Sequence, residues 1–330
     1  MKLTHVLVLG GSGFIGRHLV AALAARGLRV VVPSRRRERA KHLILLPTVD
    51  VVDADLFAPG ALERLAGRCQ AVVNLVGILH GRRGRRDERG PNDYGPDFAR
   101  VHAELPQAVV NACRAAGVKR LLHVSALGAD RRAPSEYLRS KAIGEQAVLA
   151  AADLETTVFR PSIVFGPEDR FLNQFALLAR FAPMLGVPCP DARFQPVYVG
   201  DVVRAMLASL DDPRAHGKAI ELCGPRAYTL KELVEIACRV TGRRRLVFGL
   251  PDWVSRLQAA FMGMLPAPFK LMTTDNYRSM QVPSVCTGEH PLPFGLVPQS
   301  LEAIAPTYLA PSSRSSPRER YPELRWRARR

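Results

Sequence analysis

Short apolar runs alternate with longer amphipathic segments through the first half of the chain. Six of these runs are typical of buried strands, and they predict strands at residues 6–9, 29–32, 49–52, 71–76, 120–124 and 156–159. Between them, apolar residues spaced three and four positions apart predict helices at residues 14–26, 59–66, 98–116 and 137–152. Because strands buried on both faces alternate with helices, the pattern predicts an α/β fold with a doubly wound parallel sheet, the Rossmann fold.

The regular alternation weakens after residue 165. Prolines interrupt the pattern at Pro183, Pro188, Pro190 and Pro196. A further strand is predicted at residues 219–222 and a further helix at 230–240. We therefore predict a Rossmann domain (1–165), a smaller C-terminal lobe interleaved with the sheet that holds a substrate or partner (166–310), and a disordered arginine-rich tail (311–330).

An apolar, partly amphipathic segment at residues 249–280 allows two interpretations. Its large side chains include Trp253, Leu257, Phe261, Met262, Met264, Leu265 and Phe269. Either a pair of helices closes the C-terminal lobe, or a surface helix lies on a membrane or a partner. No apolar stretch reaches the roughly 18 uninterrupted residues of a membrane span.

A glycine-rich turn joins the first predicted strand to the first predicted helix. It reads Leu9-Gly10-Gly11-Ser12-Gly13-Phe14-Ile15-Gly16. Gly10 allows a sharp turn, Gly13 has no side chain to keep a pyrophosphate from the backbone, and Gly16 allows close packing of helix and strand. The helix N-terminus offers free N–H groups and a positive dipole end. Residues 10–16 are therefore predicted to hold a dinucleotide.

The end of the second predicted strand indicates which dinucleotide is bound. NAD enzymes place an Asp or Glu there for the ribose hydroxyls, but here Arg35 and Arg36 follow the strand. Guanidinium groups bind the additional phosphate of NADP through charge-assisted hydrogen bonds, so NADP(H) is predicted over NAD(H). Asp55 is predicted to contact the adenine amine, and Gly77 to let the chain pass close to the cofactor.

Tyr137 and Lys141 form the second informative motif. Their spacing places both on one face of a helix that follows the fifth predicted strand. A nearby ammonium favours tyrosinate, so we expect Lys141 to lower the phenol pKa and allow proton exchange with a substrate oxygen. Lys141 is also a candidate ligand of the nicotinamide ribose.

These motifs resemble those of the short-chain dehydrogenase/reductase superfamily, in its extended or atypical branch, which includes the NAD-dependent epimerases and dehydratases. The glycine turn, the Y-x-x-x-K pair and the segment Arg160-Pro161-Ser162-Ile163-Val164-Phe165-Gly166 carry the likeness. The strings Asn74-Leu75-Val76-Gly77, Gly166-Pro167-Glu168-Asp169-Arg170-Phe171-Leu172-Asn173 and Gln195-Pro196-Val197-Tyr198-Val199 are similar to a narrower group, the NADPH-binding accessory subunits of respiratory complex I and their bacterial relatives. This likeness runs from about Lys2 to Tyr308.

The resemblance implies a tightly held NADPH, a pocket for the nicotinamide shaped by Pro161, and membrane-bound respiratory or quinone chemistry. It leaves catalysis open, because the complex I subunit is regarded as structural. Active members need a hydroxyl after the fifth strand. Here Ser125 either anchors a substrate oxygen or caps the strand end, and Ala126 occupies the place where many members put the hydroxyl.

Two hypotheses follow. One is an NADPH-binding protein with a structural, regulatory or quinone-linked role at the inner face of the cytoplasmic membrane. The other is an active reductase, epimerase or dehydratase that uses Tyr137, Lys141 and Ser125.

Charge is concentrated in three arginine-rich clusters. Residues 35–41, 82–89 and 311–330 together carry +12 of the net charge of +17. Such clusters attract anionic partners, and acidic lipid is a natural candidate. A basic proteome explains the charge equally well. No aromatic-studded strand pair or helix-turn-helix pattern accompanies the clusters, which argues against nucleic acid.

The cysteines and histidines indicate neither disulfides nor metal. The six cysteines are scattered without a C-x-x-C pair, and the eight histidines form no H-x-x-x-H pattern. We therefore expect free thiols in a reducing cytoplasm and no bound metal.

Overall fold

The computed structural model describes residues 3–82, 93–264, 272–288 and 292–310. The strands are β1 (His5–Leu9), β2 (Arg29–Ser34), β3 (Val49–Asp53), β4 (Ala71–Asn74), β5 (Arg120–Val124), β6 (Glu155–Pro161), β7 (Val164–Phe165), β8 (Met184–Val187), β9 (Arg193–Phe194), β10 (Val197–Tyr198), β11 (Lys218–Leu222), β12 (Tyr228–Thr229) and β13 (Leu246–Gly249). The α-helices are α1 (Phe14–Ala25), α2 (Ala61–Ala66), α3 (Pro96–Phe98), α4 (Leu105–Ala115), α5 (Glu136–Leu149), α6 (Leu172–Phe181), α7 (Val199–Asp211), α8 (Leu230–Val240), α9 (Asp252–Met264), α10 (Thr274–Ser279) and α11 (Leu301–Leu309). Short 3₁₀ segments lie at Arg37–Leu43 and Pro213–Ala215, and a π-helical segment lies at Ala99–Glu104. Most of the arginine cluster 82–89, the predicted tail 311–330 and part of the apolar segment 249–280 fall outside the described residues.

Seven parallel strands form the central sheet, in the order β11-β6-β5-β4-β1-β2-β3. The predicted α/β class and doubly wound parallel sheet are therefore confirmed. The strand order reverses between β1 and β4, whose last residues Leu9 and Asn74 are paired. In this fold, ligands bind beyond the carboxyl ends of the strands at that reversal. The seventh strand, β11, comes late in the sequence, after elements such as α6 that belong to the C-terminal lobe.

Helices cover the sheet on both faces, and β1 shows how the sequence pattern produces this. Val6 and Val8 point into a core formed with α1 and α7, which includes Leu19 and Met206. Leu7 and Leu9 point into a second core, formed with α2, α4 and α5. Successive side chains of a strand face opposite sides, so a strand buried on both sides is apolar throughout.

The predicted helix at 98–116 is interrupted, which is the main departure from the sequence pattern. It consists of α3, the π-helical segment and α4. Pro106 has no N–H to donate to the carbonyl of His102, four residues earlier, so the regular α-helical hydrogen bond is missing there. Short π-helical turns of this kind are frequent at functional sites.

The C-terminal lobe has a core of its own. α6, α8 and α11 pack around side chains that include Phe165, Leu172, Leu233 and Ala305. The segment 249–280 contains α9 and α10, which pack together through Ala259, Met272 and Tyr277. Among the described helices, none combines the length and the apolar composition that a transmembrane span requires.

A disulfide contradicts the expectation of free thiols throughout. Cys223, directly after β11, is bonded to Cys286, with 6.1 Å between their Cα atoms. The two residues are 63 positions apart, so no short spacing motif indicates the pair. The other cysteines, Cys69, Cys113, Cys189 and Cys238, are free. Cysteine usage therefore no longer supports a reducing compartment.

Candidate functional site

The glycine turn forms a tight backbone cradle at the strand-order reversal. Gly10 has φ +79°, a conformation that favours glycine, and a Cβ there would lie 3.1 Å from backbone atoms of Leu75 and Val76. Gly13 precedes α1 and donates its N–H to the carbonyl of Gly10 at 2.9 Å. No side chain caps the N-terminus of α1, and its first turn has no acidic residue. The free N–H groups in the first turn of α1 are therefore directed at the place where a pyrophosphate binds in this fold.

The remaining residues of the turn hold this cradle in place. Ser12 is half-buried, Ile15 packs against the core beneath α1, and the ring of Phe14 meets that of His18 edge-on at 5.8 Å between centroids. Gly11 lies against Val32, because a Cβ on Gly11 would be 2.9 Å from the Cγ1 atom of that residue. The turn is thus packed against β2 on one side and β4 on the other.

Among the four glycines of this turn, Gly16 is the least able to accept a side chain. A Cβ there would lie 2.3 Å from the Gly10 carbonyl oxygen and 2.6 Å from the Gly11 Cα, both of which are backbone atoms. We expect Gly16→Ala to displace the cradle and weaken binding of the nicotinamide dinucleotide about 5- to 150-fold, since overpacking costs about 1–3 kcal/mol. Isothermal titration measures this loss.

Gly288→Ala is the matched control for that substitution. A Cβ at Gly288 meets no atom of the described residues within 4 Å, so this variant should bind the nicotinamide dinucleotide as the unmodified protein does. Equal affinity of the Gly16→Ala and Gly288→Ala variants would contradict the role given to Gly16.

The residues predicted to select the cofactor or to contact it follow the ends of β2, β3 and β4. Arg35 and Arg36 are exposed after β2, where the Ser34 hydroxyl donates to the Arg36 carbonyl at 3.0 Å. Neither arginine forms a salt bridge within the part of the chain that the structure describes. Asp55 accepts a hydrogen bond from the Phe57 N–H at 3.2 Å, which shapes the turn after β3. Gly77 follows β4 and is exposed.

Tyr137 and Lys141 lie on α5, and Lys141 reaches back to the sheet. The Lys141 Nζ donates to the carbonyl of Val124, the last residue of β5, at 3.0 Å. A Cβ on Gly77 would be 3.2 Å from this Nζ, so the absence of a side chain at Gly77 leaves room for the ammonium. The structure therefore brings Lys141 and Gly77 together at the edge of the sheet where the glycine turn lies.

Burial shifts the pKa values of both groups. It raises the pKa of Tyr137 to about 12 and lowers the pKa of Lys141 to about 8, with the carboxylate of Glu145 partly opposing the second shift. The expectation that Lys141 lowers the phenol pKa is wrong, because removal of the ring from water outweighs the nearby ammonium. At neutral pH Tyr137 is a neutral phenol, which can donate a proton.

Ser125 and Pro161 complete the predicted set. Ser125 is buried directly after β5, its N–H donates to the Phe159 carbonyl at 2.8 Å, and its hydroxyl has no hydrogen-bond partner within the described residues. Pro161 ends β6, is buried and accepts the N–H of Leu127 at 3.1 Å. Within the described residues the Ser125 side chain forms no strand cap, and its hydroxyl is buried.

His102 is a member of the site that the sequence pattern did not single out. Its Nε2 accepts the Ile78 N–H at 3.0 Å, while its Nδ1 lies 2.9 Å from the Ser140 hydroxyl, which itself donates to the Tyr137 carbonyl. These partners place the imidazole proton on Nδ1. Burial, with the Lys141 charge adding to it, holds the pKa of His102 well below its usual range.

His123 adds a second buried imidazole to this region. It lies opposite Asn74 in the sheet, and burial lowers its pKa to about 3. Both ring nitrogens of His123 and the Asn74 Nδ2 lack hydrogen-bond partners within the described residues. A single histidine on an apolar strand usually indicates a core position, so only the assembled sheet could show this polar cluster.

The C-terminal lobe holds the start of α5. The carboxylate of Asp275, on α10, accepts the N–H groups of Glu136 and Tyr137 at 2.7 and 3.0 Å. Its negative charge stands at the positive end of the helix dipole. Glu168, whose φ is +64°, contacts Arg17 and His18 of α1 at 3.7 and 3.5 Å. Two carboxylates of the lobe thus contact the two helices that frame the cleft.

Comparison with known proteins identifies the fold and the family. Residues 6–223 match the pattern of the NAD dependent epimerase/dehydratase family. The chain belongs to this family. It is 34% identical over 275 residues to mouse NADH dehydrogenase (ubiquinone) 1 alpha subcomplex subunit 9, mitochondrial, covering 81% of this chain and 68% of that protein. It is 36% identical over 250 residues to ceramide reductase of Caulobacter vibrioides, covering 75% of this chain and 74% of that one.

A solved structure supports the assignment of the fold. The structure of UDP-glucose 4-epimerase from Thermus thermophilus in complex with NAD matches with a TM-score of 0.60 and 22% identity, covering 83% of this chain and 99% of that one. The resemblance to the complex I accessory subunits is confirmed by the sequence relatives. Membership of the epimerase/dehydratase family supports binding of a nicotinamide dinucleotide, and the glycine turn is the part of the chain predicted to hold it.

Proposed function

We propose that this epimerase/dehydratase family member binds NADP(H) and serves a membrane-linked redox system, in the manner of a complex I accessory subunit. The observation that carries the proposal is the pairing of a backbone cradle at Gly10–Gly16 with the exposed guanidinium groups of Arg35 and Arg36. When bound, the cofactor supplies a hydride. The chain itself supplies N–H groups to the pyrophosphate and arginines to the 2′-phosphate.

Loss of Arg35 tests the choice of NADP(H). We expect Arg35→Ala to weaken NADPH binding by about 10- to 100-fold, because hydrogen bonds to charged groups contribute about 1.5–3 kcal/mol. NADH, which lacks the additional phosphate, should bind the variant as it binds the unmodified protein. Titration with both nucleotides measures the ratio.

Arg29→Ala provides the control for that titration. Arg29 is also exposed and lies on β2, but at the opposite end of the strand, so its loss changes the net charge equally. An Arg29→Ala variant that loses as much NADPH affinity as Arg35→Ala would show a general charge effect. In that case the proposed selectivity for NADP(H) over NAD(H) would have no support.

The membrane-linked role draws on the relatives. Several are named as subunits of mitochondrial NADH dehydrogenase (ubiquinone), and a subunit with that name acts in quinone-linked respiration. By analogy we place this protein at the inner face of the cytoplasmic membrane, beside a respiratory or quinone-linked complex. Co-purification with membrane vesicles and their respiratory enzymes tests this placement.

A second candidate function, an active NADP-dependent reductase, is favoured by the position of Lys141, on the same helix as Tyr137 and bonded to the last residue of β5. A neutral phenol can donate its proton to a carbonyl oxygen that receives a hydride at carbon. Lys141 would stabilise the tyrosinate that remains, and Ser125 would hold the substrate oxygen. A relative named ceramide reductase adds support.

The assay for this second function follows NADPH fluorescence in the loaded protein. Quinones, lipid carbonyl compounds and nucleotide sugars are the acceptors to supply first. Decay with one class would establish a reductase and its substrate class. A stable signal across all of them would favour NADPH as a structural or sensing ligand.

A further inference from the structure

Helix α9 carries three large apolar side chains on the outside. Trp253, Leu257 and Phe261 follow one another at intervals of four residues, and they are 69, 64 and 61% exposed. The opposite face of the helix contains Ser255 and Ala259, both fully buried. A helix that packs only against its own protein has the reverse arrangement, with the large apolar residues inside.

Further exposed apolar residues lie on the neighbouring elements of the lobe. We call these exposed side chains, with those of α9, the apolar surface; they are Leu177, Phe181, Met184, Leu246, Phe248, Trp253, Leu257 and Phe261. The elements that carry it are joined. β13 pairs with β8, which places Leu246 beside Met184, and Arg245 donates to the Ala179 carbonyl of α6 at 2.9 Å. The α9 helix begins three residues after β13 ends.

The charges around the apolar surface are mostly positive. The segments 172–187 and 239–261 contain six arginines and one carboxylate, Asp252. Arg180, Arg243 and Arg244 are exposed. Asp252 accepts a hydrogen bond from Tyr277 and lies 2.9 Å from the Arg256 Nε, so its charge is balanced locally. The rim of the surface is therefore positive.

We infer that the apolar surface docks on an anionic lipid bilayer. Large exposed apolar patches mark interaction sites, and tryptophan and phenylalanine on a helix rimmed by arginines match the interface between headgroups and acyl chains. Arginine stems extend along apolar surface while the guanidinium reaches lipid phosphate. A protein partner matched to this rim would need a ring of carboxylates around an apolar centre, whereas acidic lipid supplies both properties at any orientation.

Docking through α9 also positions the cleft. α9 packs on α10, and Asp275 of α10 caps the start of α5 beside Tyr137. α10 thus links the helix that docks to the start of the helix that carries Tyr137. The inference deepens the membrane-linked role proposed above, and it is measured by a signal that does not depend on NADPH.

Tryptophan fluorescence provides a local test. The chain has two tryptophans, and Trp326 lies outside the described residues, so Trp326→Phe leaves Trp253 as the sole reporter. With vesicles of equal parts phosphatidylcholine and phosphatidylglycerol, we expect a blue shift of Trp253 emission and quenching by brominated acyl chains. Pure phosphatidylcholine vesicles should produce little change, because the arginine rim contributes about fivefold in affinity per residue only with acidic lipid.

Variants of the surface make the test quantitative. Leu257→Ser with Phe261→Ser, in the Trp326→Phe background, should reduce vesicle binding at least tenfold, since each side chain loses most of its apolar burial. Leu45→Ser with Val297→Ser is the matched control, because both residues are exposed and lie outside the apolar surface. NADPH affinity, measured in parallel, should be unchanged in both double variants.

Three outcomes would overturn the inference. The first is Trp253 emission that does not respond to acidic vesicles, and the second is equal vesicle binding by the two double variants. The third is a dimer in light scattering that only the Leu257/Phe261 variant abolishes, which would assign the surface to a second copy of the chain. If the protein docks on vesicles but does not bind NADPH, only the proposed cofactor is contradicted and the docking inference stands.

Discussion

Replacing Tyr137 by phenylalanine should lower NADPH-dependent turnover by about 10²- to 10⁴-fold, the usual contribution of a positioned proton donor. The substitution removes only the hydroxyl. The ring would still pack edge-on against His102, whose centroid lies 5.6 Å away, and the start of α5 would still be capped by Asp275. NADPH affinity should therefore stay the same while turnover falls. Steady-state rates and nucleotide titration together measure both quantities.

Tyr228→Phe is the control for this experiment. Its hydroxyl donates to Glu302 in the C-terminal lobe at 2.7 Å, away from the cleft, so its loss should leave turnover intact. If Tyr137→Phe keeps full turnover, the phenol is not the proton donor and the acid/base role given to Tyr137 is wrong.

Replacing Arg160 by methionine should lower the free energy of unfolding by about 3 kcal/mol, the lower end of the range for breaking a buried ion pair. Arg160 forms hydrogen bonds from its Nε to both carboxylate oxygens of Glu145, at 2.9 and 3.0 Å. The Glu145 side chain is 4% exposed, whereas that of Arg160 is 32% exposed. Removal of the arginine leaves a buried carboxylate without its partner. Urea-induced unfolding followed by circular dichroism measures the change.

Two further variants isolate the cause of this destabilisation. Arg160→Met combined with Glu145→Gln removes the unpaired charge and should recover much of the lost stability. Arg214→Met breaks an exposed pair with Asp212 and should have no measurable effect. If the single Arg160 and Arg214 variants unfold alike, the Glu145–Arg160 pair does not stabilise the fold as described.

The central sheet could be predicted from the sequence because local pattern and tertiary environment agree there. A parallel strand covered on both faces is apolar at most positions, as at residues 6–9 of β1, so its identity is visible without knowledge of its neighbours. Boundaries were less certain. The fourth strand ends at Asn74 rather than at residue 76, since the Asn74 side chain accepts the Val76 N–H at 3.1 Å and turns the chain.

The site was partly predictable for the same reason. The glycine turn and the Tyr137–Lys141 pair depend on local spacing, which one segment of sequence contains. The pKa of Tyr137 depends on burial by residues far along the chain, such as Val282, and its direction was therefore predicted wrongly. The Cys223–Cys286 bond and the contacts of His102 likewise join distant segments, and no spacing rule indicates them.

The late position of β11 in the chain has a consequence for synthesis. Until residue 222 has left the ribosome, β6 has an open edge, and until α7 has emerged, Val6 and Val8 lack the helix that covers them. About two thirds of the protein must be made before the nucleotide-binding half can close. Nascent chains shorter than this expose an unpaired strand and an apolar sheet face, which are the features that chaperones bind and that aggregation exploits.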